Sequence, residues 1–148
     1  MVKITDMALL ITFIGFHDSK VEGQTRIQKE ICILKHRDSI PVSYDFKPYF
    51  YGPYSSELTD TVDTLVASGI LEQTSVPKGF GVYRYDYSLT EQGKKLFDSL
   101  KETLEKDQPE LISKLKKRAK RLESMEIPKI ISLAKECSGI PSLKESPS

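Results

Sequence analysis

Six cations crowd one short window, Lys114, Lys116, Lys117, Arg118, Lys120 and Arg121, with no acid among them. Counted as a helix that starts at Pro109, the window places Leu111, Leu115, Leu122 and Met125 on one face. Lys114, Lys116, Lys117, Lys120 and Arg121 fall on the other face, and Arg118 lies on the apolar stripe itself. A basic face of this kind can neutralise phosphates along duplex DNA. It can equally stay solvated while the stripe packs on the rest of the chain or on a second copy in a homodimer. Membrane-surface binding is disfavoured, because the stripe has no aromatic anchor.

Two further groups could serve the same chemistry. Lys78 sits in the turn-rich stretch Val76–Gly81 and Arg84 follows it, with Gly79 and Gly81 allowing the backbone close to a phosphate. Lys47, Arg26 and Lys29 could add to them. Neutralising six phosphates would give a log–log salt slope of about −5 at ~0.9 per phosphate. Just upstream, Tyr54, Ser55, Ser56 and Thr59 open a helix and are the candidates to approach base edges. That helix has a difficulty. Opposite its buried stripe it carries Ser56, Asp60, Asp63, Thr64 and Ala67, with Glu57 at the edge, and no Lys or Arg. Three carboxylates facing phosphates are repelled unless something offsets them. The alternative use of that face is docking a basic protein partner.

Catalysis finds little to work with, and the chain is expected not to be an enzyme. His17 and His36 each close a helix, where a helix-terminus interaction is the ordinary explanation. Cys32 and Cys137 form no metal or redox motif and fall on apolar helix faces, so buried thiols are expected. No zinc spacing, P-loop, dinucleotide fingerprint or nucleophile elbow is present. No cofactor or metal is expected. The aromatic run Tyr44–Tyr54 can either stack on exposed bases or fill the core between two helices.

The elements that must position these groups follow from hydrophobic spacing. A first helix is expected from about Asp6 to His17, with Thr5 or Asp6 as cap, ended by the polar break Asp18–Gly23. A second runs from about Thr25 to Arg37 on Ile27, Ile31 and Leu34. Residues 41–54 are proline-punctuated and read as extended. The third helix ends near Ser68, with Leu58, Val62, Leu65 and Val66 buried and Gly69 at its exit. A hairpin then pairs Ile70–Thr74 with the alternating Val82–Leu89. Thr90 opens a fourth helix, Pro109 a fifth and Pro128 a sixth, leaving 142–148 as a flexible tail.

This order is that of a winged helix-turn-helix: α+β, mostly α, with a C-terminal helical extension. Residues 1–106 would form the winged-helix domain and 107–141 the extension, serving dimerisation or packing. The 148 residues are 39% hydrophobic and 29% charged, enough for one core. Net charge is only +1, but residues 1–75 hold 7 basic and 10 acidic side chains and residues 76–148 hold 15 and 11. The most apolar stretch, Met7–Phe16, is about half what a bilayer needs. A cytoplasmic, reduced location is expected.

Leu65–Glu72 followed by Tyr87–Gly93 resembles the helix–wing–helix junction of winged-helix regulators. Thr25–Leu34 and Phe46–Leu58 are similar to the YwgA-like family of predicted prokaryotic transcriptional regulators, and more distantly to the Panacea antitoxin domains. The resemblance covers about residues 5–100 and implies a winged-helix fold. The function expected from all of this is DNA-binding regulation of transcription by a homodimer. Its rival is a non-catalytic, antitoxin- or adaptor-like interaction module using the third helix.

Overall fold

A computed structural model describes residues 2–143. The chain is α+β and mostly helical, in the order α1 Ile4–Phe16, β1 Lys20–Glu22, α2 Gln24–Arg37, β2 Lys47–Tyr49, β3 Gly52–Tyr54, α3 Ser56–Ala67, β4 Leu71–Pro77, β5 Tyr83–Leu89, α4 Glu91–Asp107, α5 Pro109–Glu123 and α6 Ile127–Ser138. Apolar residues nearly encircle α1, and it lies at the centre, packed against α4 and α5, with Phe13 and Ile14 wholly buried. Asp6 does not cap it. Buried within the first turn, its carboxylate accepts from the Ser43 N–H at 3.0 Å and from the Ser43 hydroxyl, pinning the extended segment after α2.

The expected break at Asp18–Gly23 holds a strand. Asp18 and Ser19 take left-handed conformations, and β1 then joins an antiparallel sheet ordered β1-β5-β4 with Val21 opposite Tyr87. Burial of Val21 and Tyr87 at this register stabilises a pairing too short to show in the sequence. The β4–β5 hairpin runs longer than expected, with Pro77 opposite Tyr83, and it projects past the core. A second, two-stranded sheet pairs β2 with β3 around Phe50-Tyr51.

The C-terminal helices complete the core. Leu115, Ala119 and Leu122 of α5 and Ile130 and Ala134 of α6 are fully buried in the same cluster as Leu10, Ile14, Ile31 and Leu65. α6 lies along α2, and α5 touches α1, α4 and α2. Of the two uses expected for this stripe, dimerisation or packing, the structure shows packing within the chain, with Leu111 and Met125 half-buried at its margins. Arg118, on that stripe, makes a two-pronged ion pair to Asp38 at the end of α2 (2.8 and 3.0 Å). Ser142, expected in the tail, is buried and bridges Tyr49; residues 144–148 of that tail lie outside the described residues. No described helix is long and apolar enough to cross a membrane.

Candidate nucleic-acid interface

Local sequence fixes the N-terminus of α3. Ser55 caps it by accepting from the Leu58 N–H at 3.2 Å, and its own N–H and carbonyl are both taken by the Gln28 side-chain amide at 2.8 and 2.9 Å. Ser55 is wholly buried. Thr59 is half-buried, with its hydroxyl against the Tyr54 hydroxyl at 2.8 Å and the Gln28 amide at 3.1 Å. Three of the four residues expected to approach base edges are thus bonded inside the fold. Ser56 is exposed but donates to Glu57 at 2.9 Å. The sequence could not show this, because the organising residue, Gln28, lies on a different helix.

The exposed face of α3 is acidic. Glu57 accepts from the Asp45 N–H and from the Ser56 and Ser55 hydroxyls, which hold its carboxyl below the usual range. Asp60 and Asp63 are exposed and have no ion pair among the described residues.

Cations expected to grip phosphates divide into two sets. Arg84 is occupied: its guanidinium is bidentate to Asp86 (2.7 and 2.8 Å) and reaches Glu22 at 3.0 Å. Arg26 is also occupied, by Glu30 at 3.0 Å and by the carbonyls of Leu122 and Met125. Lys29 is buried, and desolvation lowers its pKa to about 8. Lys47 is exposed beside Asp45 at 3.5 Å. Lys78, Lys114, Lys116, Lys117 and Arg121 are exposed with no ion pair among the described residues, while Lys120 lies 3.5 Å from Glu123.

Between the β4–β5 arm and the β2–β3 turn lies an open groove of about 690 Å³. Its walls include Tyr51, Val82, Tyr83, Tyr85, Ile127 and Ile131, and Lys20, Lys78 and Arg84 stand among them. None of Glu57, Asp60 and Asp63 lines it. The aromatic run divides accordingly. Tyr44 and Phe46 are core, while Tyr49, Phe50 and Tyr51 are exposed on the turn. On the facing arm Phe80 is fully exposed in a left-handed conformation between Gly79 and Gly81. The run Tyr44–Tyr54 was visible in the sequence, but only the placing of the two hairpins sets Tyr51 across one groove from Tyr83.

Behind the groove, His17 is not alone at a helix end. Its Nε2 lies 3.0 Å from the buried Glu30 carboxylate, and its Nδ1 bonds the Lys20 carbonyl at 2.8 Å. Burial alone would lower its pKa, but Glu30 and that carbonyl outweigh it, so the imidazole titrates above its ordinary value. Cys32 is buried, and desolvation pushes its thiol up to about 12. Cys137 is half-buried. Among the described residues no His, Cys, Asp and Glu cluster is disposed to hold a metal.

No family model matches the chain. Over 86 residues, 56% of its length, it is 42% identical to the uncharacterized protein YwgA of Bacillus subtilis (strain 168). The chain spans about half the length of that curated relative (49%). The resemblance read from Thr25–Leu34 and Phe46–Leu58 thus meets a relative of that name, and the name carries no activity.

Proposed function

We propose that the chain is a non-catalytic nucleic-acid-binding module of winged-helix type, acting in the regulation of transcription. It would hold phosphates through the arm and the outer face of α5, with α3 set back from the bases. The observation that carries this reading is the set of exposed cations without ion pairs among the described residues, Lys78 on the arm and Lys114, Lys116, Lys117 and Arg121 on α5. Neutralising phosphates releases counterions, so binding must weaken steeply with salt. Fluorescence anisotropy on random duplexes at low and moderate salt tests this. Replacing Lys114, Lys117, Lys120 and Arg121 with Gln should weaken binding and flatten the salt slope by about 0.9 for each phosphate no longer neutralised. Absence of salt-sensitive binding by the unmodified chain would overturn the reading.

A second reading is supported by Asp60 and Asp63, exposed and without an ion pair among the described residues, on a helix that has no cation. That face could dock a basic protein partner. The double change Asp60→Asn and Asp63→Asn separates the two. It should strengthen nonspecific duplex binding if the chain serves nucleic acid, and abolish capture of a Lys/Arg-rich protein partner if α3 is the docking face.

A further inference from the structure

Two hairpin tips with no common element present the same combination of side chains. The β2–β3 turn exposes Phe50 and Tyr51 and is preceded by Lys47. The β4–β5 arm exposes Phe80 and Tyr83, 51–109% of each being open to solvent across these four rings, and carries Lys78. Neither tip contains an acid: none occurs from Phe46 to Ser56 or from Gln73 to Tyr85. Exposed rings that gather at a concave site mark a binding surface, and one ring from each tip, Tyr51 and Tyr83, lines the groove between them.

Three partners could cover rings, and the charge discriminates. A basic protein segment is disfavoured by Lys20 and Lys78 on the groove. The carboxylates that do line it are largely committed, Glu22 to Arg84 and Glu123 to Lys120, leaving Asp18. Duplex DNA hides its ring faces inside the stack, so it cannot use Tyr51 and Tyr83 as platforms. A single strand offers both an unpaired base face and a phosphate at every step, and aromatic platforms beside cations are how such strands are held without sequence preference.

We infer that the groove between the two hairpins binds single-stranded nucleic acid, with bases stacked on Tyr51 and Tyr83 and phosphates against Lys20 and Lys78. This deepens the nucleic-acid reading and rests on it, but it assigns a different surface from the α5 face that would follow a duplex.

The test is anisotropy of the full chain with a labelled oligothymidine and with a random duplex of equal length, together with the fluorescence of a 2-aminopurine placed within the single strand. Expected are salt-sensitive binding of the single strand, quenching of 2-aminopurine on stacking, and an affinity loss of about tenfold for each of Tyr51→Ala and Tyr83→Ala. Those exposed changes should leave duplex binding within about twofold, and Tyr83→Phe, which keeps the ring, should restore the single-strand affinity. Duplex binding without single-strand binding, or single-strand binding indifferent to Tyr51 and Tyr83, would overturn the groove assignment while leaving the α5 reading intact. Failure to bind either would overturn both.

Discussion

His17 shows what a buried ion pair does to a small core. The imidazole joins α1 to Glu30 of α2, and Arg26 ties the same carboxylate to the C-terminal end of α5 through the carbonyls of Leu122 and Met125. Because its folded pKa is raised above 6.5, the protonated form favours folding. That contribution is complete below about pH 6.5 and disappears as pH climbs through the raised folded value. Urea denaturation of the parent and of His17→Gln should therefore differ most below about pH 6.5 and converge as pH rises through the raised folded value. A gap that is constant across this range would show that His17 stays neutral. Nothing in the sequence marked His17 and Glu30 as partners, since they lie 13 residues apart and on separate helices. Arg26 and Lys29 misled for the same reason. A cation on a helix reads as surface until another helix covers it, and here α5 and α6 do the covering.

At the scale of elements, the junction between α3, β4 and α4 depends on closeness of backbone. Thr90 caps α4 through the Gly93 N–H at 3.0 Å, and a methyl group at Gly93 would sit 2.2 Å from the Ile70 carbonyl oxygen. Backbone cannot step aside as a side chain can, so Gly93→Ala should cost about 2–3 kcal/mol or more in urea denaturation. A loss under about 0.5 kcal/mol would mean that the strand-to-helix turn has slack. This junction was legible in the sequence, along with the six described helices and the hairpin, because the signals are local: Ser55 or Ser56 and Thr90 as caps, Gly69 at an exit, alternation in Val82–Leu89. β1 and the fate of Ser55 and Thr59 were not. Three residues give no period, and a serine that caps a helix looks the same in sequence whether its flank faces solvent or another helix's glutamine.

For the whole molecule, the decisive relation is between the two ends of the chain. An extension beginning at 107 would be dispensable if it merely joined copies. Instead α5 and α6 supply Leu115, Ala119, Leu122, Ile130 and Ala134 to the single core. A chain cut to residues 1–106 should therefore lose cooperative unfolding, exposing the flanks of α1 and α2 and binding a hydrophobic dye. A sharp, two-state melt of the shortened chain would show that residues 1–106 fold on their own. The same packing carries a cost in time. Arg26 meets partners 96 and 99 residues further on, and α2 waits for α6 to cover it. On a ribosome the early helices must emerge and persist with their apolar flanks open until α6 has followed them out, so the core closes only then and the chain is at its most aggregation-prone just before that point.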